Sequence, residues 1–297
     1  MFSGAFTALI TPFRNGAVDV EALESMVELQ IRQGIHGLVP CGTTGETPAM
    51  SEAEDRLVIE TVVKTAAGRV PVVAGSGSNS TSMAIKYTKM AQEAGADGSL
   101  QVAPYYNKPT QEGLYRHFTA IAESTDLPLV LYNIPGRTAV TIEAPTMARL
   151  AQIPNVVGVK ESTLSMNMVS DIRHLCGGEF DILSGDDPMI LPLMALGGRG
   201  VISVASNVAP GAVSDMVDAA LEGNWERARE LHYELLPLFR ALFVETNPIP
   251  VKTATSLLGF CSDEMRLPLI PMEGENLDLL QETLDASNHL LPTPEEV

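Results

Sequence analysis

Cysteine is scarce in this chain. Cys41, Cys176 and Cys261 are the only three in 297 residues, and no two form a Cys-x-x-Cys pair. An odd, scattered set argues against a disulfide framework and for reduced thiols, so the expected compartment is the cytoplasm. Basic charge is also short. Nineteen Lys and Arg stand against 37 Asp and Glu, a formal net charge of −18, which argues against nucleic acid and anionic membrane surfaces as partners. That field serves solubility. It does nothing to attract an anionic substrate, which local Arg, Lys and backbone N–H groups would have to hold. Long apolar runs are missing too: Gly, Pro or charge interrupts each well before about 18 residues, so no membrane span is expected. The opening MFSGAFTALITPF lacks a basic segment and a small-residue cleavage site, and reads as a first strand. His36, His117, His174, His232 and His289 are isolated and share no metal-ligand spacing, so no metal site is expected.

What the chain does have is a recurring unit. A short apolar run ends in polar or Gly-rich residues, and an amphipathic stretch follows. Eight strands are expected at Phe6–Ile10, Gly37–Cys41, Val70–Gly75, Gly98–Pro104, Pro128–Asn133, Val156–Lys160, Asp181–Gly185 and Gly200–Ser206. Their apolar residues are continuous instead of alternating, which suits strands buried on both faces. Between them, Leu23, Met26, Val27 and Ile31 share a helical face behind a candidate N-cap, Asp19. Ser51 and Glu54 form a capping box ahead of Leu57, Val58 and Val62. Eight alternations favour a (β/α)8 TIM barrel over an open doubly wound sheet. After about residue 208 the strand signals stop, and helices are expected near 210–222, 224–244, 249–258 and 275–290. The chain therefore divides into a barrel with the catalytic site (1–208) and a C-terminal helical domain (209–297), with a frayed tail at Leu291–Val297.

Barrels of this kind place chemistry at the carboxyl ends of their strands. Read in order, those ends carry Thr43 and Thr44, then Ser76 to Ser80, then Tyr105, Tyr106 and Asn107. Tyr132, Asn133 and Arg137 follow, then Lys160 and Glu161, then Asp186 and Asp187. Lys160 is the sharpest signal, because it closes the apolar run Val156–Val159. Burying an ammonium is costly, so a lysine placed there is expected to serve as a neutral amine able to attack a carbonyl carbon. The competing reading is a rim ion pair with Asp186, Asp187 or Glu161. Tyr132 and Tyr106 have hydroxyls able to pass protons, or are rim aromatics. The turn Gly42-Thr43-Thr44-Gly45-Glu46 can aim backbone N–H groups at a small anion. Arg137, after Pro135-Gly136, can clasp a carboxylate or simply stay solvated.

Three motifs in order carry a resemblance: Gly42-Thr43-Thr44-Gly45-Glu46, Tyr132-Asn133-Ile134-Pro135-Gly136-Arg137-Thr138, and Gly158-Val159-Lys160-Glu161-Ser162. From Phe2 to about Pro271 the chain resembles the dihydrodipicolinate synthase/N-acetylneuraminate lyase family, (β/α)8 barrels with a C-terminal helical domain. Pro104–Pro109, Gly185–Asp187 and Asn247–Lys252 resemble the branch that acts on L-aspartate 4-semialdehyde. The resemblance implies a covalent imine between Lys160 and pyruvate, with no other cofactor, and condensation with that semialdehyde toward diaminopimelate and lysine. Residue by residue it implies that Tyr132 relays protons with Thr43 and Tyr106. Thr44 would hold the pyruvate carboxylate, Ile202 would lie near pyruvate through its carbonyl, and Arg137 would secure the semialdehyde's carboxylate. Tyr106 would reach a neighbouring subunit, implying a homodimer or homotetramer.

Two alternatives stay open at this point: a pyruvate aldolase acting on a sugar acid, and a barrel that binds keto acids without turnover. Lysine-inhibited members carry polar groups at positions corresponding to Thr47, Glu52, Asp55, Asn79, Met83 and Tyr105. Met83 stands where a glutamate binds the effector's ammonium, so feedback by lysine is expected to be weak or absent.

Overall fold

The computed structural model describes residues 1–292. The expected fraying at Leu291–Val297 therefore falls mostly on residues 293–297, outside the described part. Eight strands form one sheet: β1 (Gly4–Ala8), β2 (Gly37–Val39), β3 (Val73–Gly75), β4 (Gly98–Val102), β5 (Leu129–Asn133), β6 (Val156–Glu161), β7 (Asp181–Ser184) and β8 (Gly200–Ser203). Their order across the sheet is β2-β1-β8-β7-β6-β5-β4-β3. The paired strands run parallel, and a parallel bridge from Leu38 in β2 to Val72, next to β3, joins the two edges. Sequential order, parallel pairing and joined edges make a (β/α)8 barrel, followed by C-terminal helices. Each expected strand is present, and each of the four expected late helices is too, at Pro210–Leu221, Trp225–Ala241, Ile249–Leu257 and Glu275–Ala286.

Local chemistry explains the element ends. Asp19 caps the helix Val20–Arg32 by accepting from the Ala22 N–H at 3.2 Å. Ser51 and Glu54 close the expected capping box, with the Ser51 N–H donating to Glu54 at 2.8 Å. The first strand ends two residues short of the expected Ile10. Asn207 replaces the ladder there: its amide donates to Ala8 C=O at 2.8 Å, and its carbonyl accepts from the Ile10 N–H at 3.1 Å. The eighth strand stops at Ser203, because the chain turns into a 3-10 segment at Ala205–Asn207 that delivers that same side chain. One feature lies outside the expectation, a small antiparallel hairpin of Phe13–Arg14 with Ala17–Val18. Its Asn15-Gly16 turn has φ of 55° and 80°, the left-handed pair that such tight turns need.

The described residues fall into two compact units. One is Met1–Ser3 with Val73–Ile202; the other is Gly4–Val72 with the chain from Ser203 onward. In the first unit, Leu129, Leu131, Val159 and Ile182 pack with Phe118, Met147 and Ile172 of the surrounding helices. Strand side chains alternate faces, and the register pairs Val130 with Gly158 and Tyr132 with Lys160. Those residues therefore turn to the opposite face, the barrel interior. Leu183, level with Lys160, shares that face.

Candidate active site

Lys160 is the penultimate residue of β6 and is 5% exposed. Tyr132, level with it on β5, is also buried, and the Lys160 Nζ stands 4.4 Å from the centre of the Tyr132 ring. Among the described residues Lys160 has no carboxylate within ion-pair distance, 4.0 Å. The rim ion pair that the sequence left open is not formed, and the amine faces an aromatic surface instead. Space for its stem comes from Gly185, at the end of β7. A β-carbon there would lie 2.9 Å from Lys160 Cε and 3.0 Å from Cγ.

The residues around the lysine are fixed in place. Glu161 points the other way and is buried, accepting from Asn133 Nδ2 at 3.0 Å and from the Thr163 N–H at 2.7 Å. Burial pushes its carboxyl up, against those hydrogen bonds. Asn133 also clamps the next loop, accepting from the Ile142 N–H at 2.9 Å and donating to Ile142 C=O at 3.2 Å. Asp186 is pushed up to about 6 by burial and by Asp187, with Lys160 opposing. Ile202, on β8, is buried.

Arg137 is exposed on the short helix Pro135–Thr138, directly after β5. Thr138 pins that turn through its hydroxyl, whose one proton is shared between Ile134 C=O at 3.0 Å and Val140 C=O at 2.9 Å. Tyr106 is 90% exposed and holds a left-handed φ of 72°. Its flanks are tied: Asn79 donates to Tyr105 C=O at 3.1 Å, and Asn107 donates to Asn79 C=O at 2.9 Å. The backbone thus presents the ring outward. Within one chain it stands apart from Lys160 and Tyr132 in environment, one exposed and the others buried.

In the second unit, the turn after β2 is closed by two backbone hydrogen bonds. Gly45 N–H donates to Gly42 C=O at 3.1 Å and Glu46 N–H to Thr43 C=O at 3.2 Å. The N–H groups of Thr43 and Thr44 make no backbone hydrogen bond among the described residues. Thr44 is buried and accepts from Asn247 Nδ2 at 3.1 Å, while Thr43 is half-buried. Cys41 and Glu46 flank the turn, each at φ 56°. A second buried lysine lies here that sequence reasoning passed over: Lys252 donates to Glu46 at 2.5 Å, and both side chains are essentially inaccessible. Its place in Asn247–Lys252 was a motif residue, but a partner 206 positions away leaves no local trace.

Barrel topology and an inward lysine at the end of the sixth strand define a (β/α)8 barrel with a candidate amine nucleophile. Similarity to known proteins narrows this. Residues 1–287 match the model of the Dihydrodipicolinate synthetase family, and the chain belongs to that family. It is 55% identical over 290 residues to 4-hydroxy-tetrahydrodipicolinate synthase of Nitratidesulfovibrio vulgaris strain DP4, covering 97% of this chain and 99% of that one. It is similar to the crystal structure of dihydrodipicolinate synthase from Aquifex aeolicus, at TM-score 0.96 and 52% identity over 98% of this chain and 100% of that one. It also matches the chloride-inhibited Acinetobacter baumannii enzyme complexed with pyruvate, at TM-score 0.95 and 42% identity over 97% and 98% of the two chains.

Proposed function

We propose that this protein catalyses the reaction for which its relatives are named, condensing pyruvate with L-aspartate 4-semialdehyde to 4-hydroxy-tetrahydrodipicolinate. The observation that carries this is Lys160: an amine 5% exposed, with no carboxylate partner among the described residues, inside a barrel beside a buried tyrosine. Its lone pair attacks C2 of pyruvate, and the carbinolamine loses water to leave an imine. Loss of a C3 proton gives the enamine, whose C3 bonds to the aldehyde carbon of the second substrate. The substrate's amine then adds to C2 and displaces Lys160 as the ring closes.

The other roles follow from chemistry at each position. Tyr132 gives and takes the protons of carbinolamine formation and dehydration, with Thr43 and Tyr106 completing the relay. The N–H groups of Thr43 and Thr44 and the Thr44 hydroxyl receive the pyruvate carboxylate. Ile202 approaches pyruvate through its carbonyl, and Arg137 takes the carboxylate of the semialdehyde as a bidentate partner. A relay that needs Tyr106 needs a second chain, since the ring projects outward, so the active form is a homodimer or a homotetramer. Imine chemistry asks for no cofactor beyond the lysine. All three cysteines are unpaired, in keeping with a cytoplasmic enzyme; no helix among the described residues is long and apolar enough to cross a membrane.

The test is a substrate panel at fixed pyruvate. Turnover of aspartate semialdehyde at least tenfold above that of any sugar-derived aldehyde is expected. Preference for a sugar aldehyde would move the protein to the sugar-acid aldolases. Pyruvate binding without turnover of any aldehyde would make it a binder.

A further inference from the structure

The pair Lys252–Glu46 is an expensive way to hold a loop. Both groups are withdrawn from water, Lys252 at 0% and Glu46 at 2% exposure, and burial pulls the lysine's pKa down against the pull of Glu46. Such pairs seldom stabilise a fold more than apolar residues of the same size would. What this one does is local. Glu46 is a non-glycine residue held at φ 56°, a conformation that needs outside support. Both of its carboxylate oxygens are engaged, Oε1 by Lys252 at 2.5 Å and Oε2 by the Arg266 N–H at 3.0 Å. The rest of the turn is held by neighbours in the same unit. Thr11 donates to Gly45 C=O at 2.8 Å, and Asn247, on the approach to the Lys252 helix, donates to Thr44 Oγ1 at 3.1 Å. The ammonium itself rests on the Phe13 ring, 4.0 Å from its centre. The grip ends at the one place where the N–H groups of Thr43 and Thr44 are left without backbone acceptors.

We propose that Lys252 is a positioning residue for the keto-acid carboxylate. It fixes Glu46, and through it the turn that receives that carboxylate, and it cancels a buried negative charge that would otherwise oppose an incoming anion. This rests on the pyruvate reading above. The C-terminal segment thereby sets affinity for the first substrate without touching it.

The experiment compares parent and Lys252→Met proteins by the pyruvate concentration that half-saturates borohydride-trapped adduct formation, together with turnover at saturating pyruvate and the KM for the semialdehyde. Lys252→Met is expected to raise half-saturating pyruvate at least tenfold, with the other two quantities within threefold. A lysine that served stability alone would lower the melting temperature and leave half-saturation where it was, and that result overturns the proposal. Should Lys252→Met fail to fold, Lys252→Gln, which can still hydrogen-bond Glu46 but leaves its charge uncancelled, decides: a threefold or larger rise supports the proposal, and the parent value overturns it. Absence of any adduct in the parent protein would instead strike the pyruvate reading itself.

Discussion

Replacing Gly185 by alanine moves Lys160 with a single methyl group. The Gly185 N–H donates to Glu161 C=O at 2.9 Å, so its backbone is tied to β6. Its φ is not left-handed, so alanine brings no backbone strain and space alone decides. The new β-carbon would stand 2.9 Å from Lys160 Cε and 3.0 Å from Cγ, and would overlap the Ser162 hydroxyl. Ser162 Oγ has no hydrogen-bond partner among the described residues and can rotate away. The lysine stem cannot evade so easily, because its Nζ is already against the Tyr132 ring. Carbon atoms rest about 3.5–4.0 Å apart, so the stem must shift by about 0.5–1 Å. Overpacking of this kind costs about 1–3 kcal/mol of stability, and a reacting atom misplaced by about 1 Å loses about 100-fold in rate. A folded Gly185→Ala protein is therefore expected to form the pyruvate imine about 100-fold more slowly. Rapid-quench trapping with borohydride and labelled pyruvate measures that rate, and a parallel melting curve reports folding. A folded variant that forms the imine at the parent rate would refute the reasoning.

Three other outcomes are expected. Phe118 is fully buried in the cluster around Leu131 and Val159, so Phe118→Ala should cost about 3–5 kcal/mol, read as a lower urea midpoint. Burial, opposed by Cys41 and reinforced by Glu54 and Glu52, pushes the Asp55 carboxyl from 3.8 up to about 7. A folded value above the unfolded one gives stability that is complete at low pH and lost as pH rises through the folded value, so Asp55→Asn should raise the melting temperature near pH 8 and not near pH 4. Equal melting shifts at the two pH values would contradict that assignment. Lysine below about 1 mM should leave the steady-state rate unchanged, since Met83 offers no carboxylate to an ammonium; inhibition in that range would show the effector held by other groups.

Much of this architecture was legible in the residues. Buried parallel strands need unbroken apolar runs, and each of the eight such runs became a strand. Lys160 stood out for the same reason, as a charge set at the end of one of them. The strand ends were less legible. Asn207 finishes β1 from almost two hundred residues away, and no local pattern encodes that. The Asn15-Gly16 hairpin did have a local signal, one that two-residue strands are too short to reinforce. Lys252 sits in a helix whose sequence gives no reason to expect full burial, and its counter-charge lies 206 residues earlier. Gly185 was legible only as the end of the seventh apolar run and as part of Gly185–Asp187; the room it leaves for the lysine stem depends on β6 lying beside it.

The proposed catalysis depends on covalent bonding between the Lys160 amine and a keto acid. Intact mass measurement after borohydride reduction in the presence of pyruvate, with the modified peptide sequenced, addresses that bond without intermediaries. One reduced pyruvyl group per chain, located on Lys160 and missing from Lys160→Ala, is the predicted result. An unmodified chain, or an adduct on another lysine in a protein that still turns over, would contradict it.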